Sequence, residues 1–220
     1  MTRIITIILL SLSFILPTSY SVYAQGADVL LSKLSDRAKD YGSISATYSS
    51  MMIDVKNDFK ESLLGNIQID ESKFMLDLGE YSIISDGVTV WTYEKETNDC
   101  YVEDAEMLAD QGMDPSRIFT IWEDDFKNSL EGVVEVSEQE CVQVNLYPSG
   151  EDASEKPFHT IQLFINETLL EVKKIVVKGR EGVDTEYLIQ SFKTNVELPS
   201  STFEFNEARF PGVTIIDNRI

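Results

Sequence analysis

The chain has 220 residues with 18 Lys and Arg against 38 Asp and Glu, a formal net charge of −20. A charge of this sign opposes binding to the phosphates of nucleic acids and to anionic membrane surfaces. The length is typical of one domain, and the charge favours solubility and encounter with basic partner surfaces.

The N-terminus has the pattern of a secretory signal peptide. Arg3 supplies the positive region, residues 4–16 are apolar, and Val22-Tyr23-Ala24 fits the small-x-small cleavage rule. The apolar run is shorter than the roughly 20 residues that span a bilayer. We therefore expect cleavage after residue 24, leaving residues 25–220 as a single exported domain with a formal charge of about −21.

One helix and a series of strands are predicted for the first half of the mature chain. Apolar residues in 27–41 follow helical spacing, and Gly42 is expected to end this helix. The pattern then changes to period two, and Asp86-Gly87 between two apolar runs predicts a hairpin. The predicted strands cover residues 44–56, 62–70, 73–78, 81–85, 88–93 and 99–102.

A helical insertion interrupts the strands. Asp114 is a good N-cap and Pro115 a good first helical residue, and a helix-spaced apolar stripe runs from Ile118 to Phe126. Strands are then predicted at residues 133–136, 140–147, 160–166, 171–178 and 185–194. This order indicates one α+β domain with a large antiparallel sheet.

Apolar residues of one parity predict a concave face on this sheet. About ten strands in one sheet tend to curl, and the helical stripe needs an apolar surface to cover. Phe74 and Leu76 share a parity on one strand, and Trp91 and Tyr93 share a parity on another. Periodicity alone does not distinguish a packed core from a lined cavity, so both interpretations stay open here.

Catalytic and metal-binding patterns are missing from the sequence. His159 is the only histidine and is better explained as a structural or surface residue. Carboxylates are abundant, but any acidic protein offers pairs of them by chance. One histidine and two cysteines are too few for an ordinary zinc site, so we expect neither a cofactor nor an enzyme.

Cys100 and Cys141 are the only cysteines. Export to an oxidising compartment would permit a disulfide between them, and a structural bridge is the first expectation. Two free, buried thiols are the alternative, because sequence does not give the distance between the two Cα atoms.

Four segments make the chain resemble the periplasmic outer-membrane lipoprotein carriers of the LolA family. The segments are ISATYSSMM after the first helix, IISDGVTVWTYEKETNDCYV, DPSRIFTIWEDDFK and the C-terminal FEFNEARFPGVTIID. The likeness spans nearly all of residues 27–217. It implies a curved, unclosed antiparallel β half-barrel with a lid of α-helices over a hydrophobic cavity that holds lipoprotein acyl chains.

The resemblance implies partners and a site. Carriers of this family receive lipoproteins from an inner-membrane ABC transporter and hand them to an outer-membrane receptor. Trp91 is then expected to face inward, and residues 115–126 are expected to form part of the lid. Independently of the resemblance, methionine adapts to irregular apolar shapes, so Met107 and Met113 in the insertion are expected to belong to the lid or to face the ligand. The expected lipid-binding residues are Phe74, Leu76, Trp91, Tyr93, Met107, Met113, Ile118, Phe119, Trp122 and Phe126.

One departure from the family concerns the lid latch. Many members carry a basic residue and a proline before the strand at residues 74–78, where an arginine helps to latch the lid. This chain has Asp70-Glu71-Ser72-Lys73 there, and lysine lacks the forked donors of arginine.

Three functions are compatible with these features. A monomeric periplasmic carrier that ferries lipoproteins to the outer membrane is the leading hypothesis. A lipid-binding sensor or interaction protein of the cell envelope, without cargo transfer, is the alternative. An exported enzyme would need a convergent catalytic site that the sequence does not show.

Overall fold

The computed structural model describes residues 26–110, 115–117, 119–123 and 125–219. The predicted signal peptide, residues 1–24, lies outside the described residues, and so do Met113 and Ile118.

The described chain forms a single unclosed sheet of twelve strands. The strands are β1 Ser43–Asp54, β2 Phe59–Asp70, β3 Lys73–Asp77, β4 Tyr81–Ser85, β5 Thr89–Glu94, β6 Asp99–Asp104, β7 Phe126–Val136, β8 Gln139–Pro148, β9 Phe158–Asn166, β10 Glu171–Gly179, β11 Val183–Thr194 and β12 Thr214–Asp217. Their order across the sheet is β12-β6-β5-β4-β3-β2-β1-β11-β10-β9-β8-β7. The predicted half-barrel of mainly antiparallel strands is confirmed.

Two runs of consecutive hairpins meet at β1. The strands β1 to β6 form one meander and β7 to β11 form another, and β1 pairs antiparallel with β11 to join them. The predicted Asp86-Gly87 hairpin is present between β4 and β5. Asp86 Oδ1 accepts hydrogen bonds from the backbone N–H groups of Val88 and Thr89, at 2.9 and 2.8 Å, and Gly87 has a φ of 91°.

The strand β12 is absent from the sequence prediction. It pairs parallel to β6, with Ile215 opposite Cys100, and three of its four residues are exposed. A four-residue strand at the edge of a sheet has little apolar periodicity, so pattern alone does not reveal it.

Helix α1, Ala27–Ala38, packs on one face of the sheet, which we call the inner face. Asp28 in its first turn and Arg37 in its last turn suit the helix dipole. The helix buries Leu30, Leu31 and Leu34 against β8, β9 and β10. It ends three residues before the predicted boundary, because residues 39–41 continue as a turn closed by the bond from Tyr41 N to Ala38 O.

The predicted single helix over residues 115–126 is wrong. The described residues of this segment form two short 3₁₀ turns, Pro115–Arg117 and Ile121–Glu123, and Phe126 is the first residue of β7. A short helix, α2 Ala105–Asp110, follows β6 directly. The helical cover thus exists, but short pieces replace one continuous helix, because a helix-spaced apolar stripe also fits irregular chain that covers an apolar surface.

Within the described residues, no helix is both long and apolar enough to cross a bilayer.

Candidate functional site

The inner face carries one continuous apolar surface from β10 across β11 and β1 to β5. The cross-strand partners Phe74, Ser85 and Val90 lie on the same face, since directly paired residues point the same way. Phe74 and Val90 belong to one buried cluster with Ile44, Ala46, Tyr48, Ile67, Ile69 and Phe119. Tyr187 joins this cluster to the residues packed under α1. The sheet therefore presents a single apolar floor.

A short segment with Phe119 and Trp122 covers one end of this floor, and we call its described residues, 115–117 and 119–123, the cover segment. The rings of Phe119 and Phe192 meet edge to face, with centroids 5.0 Å apart, and Tyr41 contacts Phe192 from the other side at 5.7 Å. Phe119 is 7% exposed. The cover segment is thus held on the floor by aromatic contacts.

Trp122 also fastens the cover segment to α1. Its indole Nε1–H donates a hydrogen bond of 2.8 Å to Ser35 Oγ. Indole donates hydrogen bonds and accepts none, so the serine hydroxyl supplies the partner that a half-buried tryptophan needs. Lys73 does not provide a latch, because it lies on the opposite face of β3 with its Nζ 3.9 Å from Asp70 Oδ2.

The cavity beneath the cover segment is small. A cavity of about 20 Å³ lies between α1, the cover segment and the start of β10, lined by Leu34, Ala38, Tyr41, Phe119, Trp122, Leu170, Glu171, Val172 and Phe192. One water molecule needs roughly 10–15 Å³, so this space holds one water and no acyl chain. At this end of the floor, the cover segment therefore packs closely against the sheet and α1.

The opposite end of the floor is open. The strands β3 to β6 are five or six residues long, whereas β1, β2 and β11 have 12 residues each and extend beyond them. Leu76, Leu78 and Ile83 are only partly buried on this side, and Leu63 on the neighbouring part of β2 is 41% exposed. An apolar path thus leads from solvent to the covered end.

Tyrosine rings form the middle of the floor. Tyr48 and Tyr187 meet edge to face at 5.8 Å, and Tyr48 lies over Gly65 of β2. Burial raises the pKa of Tyr48 to about 12, and burial also raises the pKa of Tyr187. Both hydroxyls therefore stay neutral at physiological pH, which keeps the floor uncharged.

Trp91 and Tyr93 lie on the face opposite Phe74 and Leu76. Because Trp91 pairs with Ile84 and Val102, while Phe74 pairs with Ser85, the two sets point to opposite sides. Their face is covered by the C-terminal segment, in which Phe210 contacts Tyr93 with ring centroids 4.3 Å apart. The expectation that these two aromatic residues line the cavity with Phe74 is wrong, since shared parity within each strand does not set the register between strands.

The two cysteines are free and buried, so the expected disulfide is wrong. Cys100 lies on β6 and Cys141 on β8, with eight strands between them in the sheet. A disulfide needs Cα atoms within about 7 Å, which this separation prevents. Burial raises the pKa of the Cys100 thiol to about 11 and raises that of Cys141, so both thiols are protonated at neutral pH.

The remaining predicted site residues divide into three groups. Phe74, Leu76, Phe119 and Trp122 lie on the floor or its cover, and their contact with acyl chains stays a prediction. Phe126 packs against the residues under α1 and stacks on Phe158 at 6.3 Å, but from a strand. Met107 on α2 is 42% exposed, and Met113 and Ile118 lie outside the described residues.

Sequence reasoning missed the α1 contact of Trp122 and the floor residues Tyr48, Leu63 and Tyr187. The strand pattern of 62–70 already placed Leu63, Ile67 and Ile69 on one parity. Apolar residues of one parity indicate an apolar face of a strand, so this pattern was a signal that Leu63 belongs to the floor. The pairing of Trp122 with Ser35 joins residues 87 positions apart and has no local signal.

The described part of the chain holds no group of three or more His, Cys, Asp or Glu that could bind a metal ion. It also holds no buried side-chain nitrogen or oxygen without a hydrogen-bond partner. The chemistry that this inner face offers is the burial of apolar surface.

A family model described as the outer membrane lipoprotein carrier protein LolA matches residues 78–206, which is more than half of the chain. The chain belongs to the LolA family. The matched residues include the hairpin β4–β5, the cover segment and the strands β7 to β11. A comparison with curated protein sequences gave no significant match.

Solved structures resemble this LolA-family chain at low sequence identity. An uncharacterized conserved protein from Thermus thermophilus has a TM-score of 0.56 and 14% identity, covering 85% of this chain and 98% of its own. A LolA superfamily protein from Nitrosomonas europaea has a TM-score of 0.44 and 9% identity, covering 82% and 98%. A putative outer membrane lipoprotein-sorting protein domain from Vibrio parahaemolyticus has a TM-score of 0.42 and 9% identity, covering 80% of this chain and 94% of its own. The Thermus structure supports the fold.

Proposed function

We propose that this LolA-family protein is a periplasmic carrier that binds the acyl chains of lipoproteins on the inner face and ferries them to the outer membrane. Residues 1–24 act as a cleaved signal peptide and residues 25–220 as one monomeric carrier domain without a catalytic role. An inner-membrane lipoprotein-releasing ABC transporter supplies the cargo, and an outer-membrane receptor accepts it.

One observation carries this proposal: a continuous apolar floor is covered at one end by a short segment and is open at the other. Here the strands of the floor run past their cover, and Leu63, Leu76 and Ile83 remain partly accessible. This arrangement suits a surface that is filled by an apolar ligand.

The energetics of acyl chains fit a cover that moves. Each buried CH₂ group contributes about 0.8 kcal/mol, so a chain of a dozen or more carbons supplies several kcal/mol. Displacing the cover segment costs the aromatic contacts of Phe119 and the hydrogen bond of Trp122 to Ser35. The empty carrier recovers these contacts on release, which lowers the net affinity and keeps binding reversible.

The direct test is uptake and transfer of an acylated cargo. The mature protein is incubated with a triacylated lipopeptide and analysed by native mass spectrometry, and the loaded protein is then mixed with an outer-membrane lipoprotein receptor. We expect a one-to-one complex and transfer of the lipopeptide. Uptake without transfer would indicate a lipid-binding sensor, and no uptake would contradict the proposal.

Variants of the cover segment test whether the lipopeptide binds at this site. Phe119→Asp and Trp122→Asp place a charge against the apolar floor and should weaken lipopeptide uptake at least tenfold. Val88→Asp is the matched control, because Val88 is 72% exposed in the β4–β5 turn. Circular dichroism checks that each variant keeps its sheet, and unchanged uptake by both cover variants would contradict the assignment of the site.

A further inference from the structure

Residues 59–65, the part of β2 next to the open end of the floor, have a strand neighbour on one side only. The pairing of β2 with β1 runs over the full length of β2, from Phe59 to Asp70. The pairing with β3 begins only at Asn66. No other backbone hydrogen bond reaches residues 59–65 from the described part of the chain. Since successive residues of a strand alternate between their two neighbours, about half of the backbone groups here face open space.

Lys60 and Glu61 place charges on the outer part of this free edge, but its inner part, residues 62–65, lacks the protection that other edges of the sheet have. Proteins usually guard edges with bulges, charges or very short strands. The edge strand β7 has a bulge between Leu130 and Gly132 with Glu131 at its centre, and β12 is four residues long. Residues 62–65 of β2 read Ser-Leu-Leu-Gly, without a charge.

Apolar side chains are exposed on both faces of the same stretch. Leu63 and Phe59, 41% and 48% exposed, share the inner-face parity, and Leu64 on the opposite face is 72% exposed. A free row of backbone donors and acceptors beside exposed leucines is the geometry of binding by strand addition.

The free edge lies beside the open end of the floor. A strand added beside residues 59–65 would continue the line of β3, which stops at Asp77 opposite Asn66. Seven residues of strand span about 23 Å, and alternate side chains of the added strand would point toward the inner face. The added strand would therefore lie along the edge of the opening through which acyl chains would pass.

We propose that residues 59–65 bind an extended polypeptide segment of the lipidated cargo, namely the residues that follow its acylated N-terminal residue. This inference rests on the proposed carrier function and adds a polypeptide subsite to the acyl-chain site. Backbone pairing is independent of sequence, so it suits a carrier whose cargo proteins share the acylated end and differ elsewhere.

Charge argues against a second copy of this chain as the occupant. Each chain carries a formal charge of −20, and two such molecules repel one another at close approach. Residues 54–65, by contrast, hold two basic and three acidic residues, so the hairpin itself is nearly neutral. An uncharged or weakly charged cargo segment meets no such barrier.

The test measures the binding of four probes to the unmodified mature protein. All four probes carry the same acylated cysteine. The first probe ends at the cysteine amide, and the second continues for eight uncharged residues. The third and fourth carry N-methyl groups on the even-numbered or odd-numbered amides of that peptide. Only one parity directs its N–H groups at β2, so these two probes are matched controls for each other.

We expect the eight-residue probe to bind at least tenfold tighter than the acylated cysteine amide. N-methylation of one parity should remove this gain, and N-methylation of the other should retain it. In hydrogen exchange, alternate amides of residues 59–65 should become protected only with the peptide-containing probe.

Equal affinity of the first two probes, or an equal effect of both N-methylated series, would overturn the proposal while leaving the acyl site intact. Failure of every acylated probe to bind would overturn the carrier function itself. Sedimentation of the free protein as a dimer that Leu64→Lys dissociates would assign the edge to a second copy and also overturn the proposal.

Discussion

Gly65 is required where β2 passes beneath Tyr48. A Cβ atom added at this position would lie 2.5 Å from Tyr48 Cζ, which is closer than real side chains approach. The absence of a side chain lets the ring of Tyr48 lie flat over β2 and meet Tyr187. Glycine normally weakens a strand interior, so its presence here is explained by this close approach.

Gly65→Ala should lower the free energy of unfolding by about 1–3 kcal/mol, because the added methyl group displaces the tyrosine ring. Denaturant titration measures the loss. The same substitution in a Tyr48→Ala background should cost much less, since the space is vacated. Equal losses in both backgrounds would contradict the contact.

Buried tyrosines make the stability of the protein sensitive to alkaline pH. The pKa of Tyr48 is raised to about 12 by burial, whereas an unfolded tyrosine titrates near 10. The folded state therefore holds its proton more tightly than the unfolded state. The resulting stability is fully present below pH 10 and is lost as the pH rises from 10 to 12.

Tyr48→Phe should flatten this alkaline loss. A shift of one pKa unit corresponds to about 1.4 kcal/mol. Solvent screening lowers the effective shift, so Tyr48 accounts for about 1–2 kcal/mol of the decline. Unfolding free energies at pH 9, 10, 11 and 12 for wild type and variant measure the difference. Identical slopes above pH 10 would show that the Tyr48 hydroxyl is not buried in solution.

At the scale of elements, the cover segment and α1 act together through one hydrogen bond. Trp122 donates to Ser35 at 2.8 Å, and this contact fastens the cover segment although the chain lacks the arginine of the family at residues 70–73. A hydrogen bond of this kind contributes about 1 kcal/mol, which is small beside the stability of the sheet. It is large enough to bias the cover segment between closed and open positions.

Ser35→Ala should loosen the cover segment without unfolding the sheet. We expect acyl-chain affinity to rise about threefold to tenfold, because less free energy is spent on opening. Binding of a fluorescent fatty acid and the emission wavelength of tryptophan measure the change. Ser32→Ala is a matched control on the exposed side of α1, and equal effects of the two variants would contradict the latch.

The elements show why sequence predicts some of this fold and misses the rest. The hairpin β4–β5 was predictable because Asp86 and Gly87 supply both the turn hydrogen bonds and the positive φ. The face to which the Trp91 side chain points was not predictable, because the register between strands is set by pairing along the whole sheet. The two 3₁₀ turns Pro115–Arg117 and Ile121–Glu123 depend on the surface beneath them, which a local pattern does not contain.

At the scale of the molecule, the two faces of the sheet are covered differently. The inner face offers an apolar floor that is only partly covered. On the opposite face of β4 to β6, the C-terminal segment packs Phe205 and Phe210 against Tyr93 and seals a small second core. Sequence reasoning found the family and placed Phe74 and Leu76 on one apolar face, but it missed Tyr48 and Tyr187 and assigned the aromatic residues of both faces to one cavity.

The central claim is that acyl chains bind the inner face and not simply any exposed apolar residue. Leu63 and Leu64 are neighbours on β2, both are exposed, and they point to opposite faces. The most direct test measures the dissociation constant of a long-chain fatty acid for Leu63→Asp and Leu64→Asp. We expect at least tenfold weaker binding for Leu63→Asp and wild-type binding for Leu64→Asp, whereas equal binding by the two variants would show that acyl chains do not select the inner face.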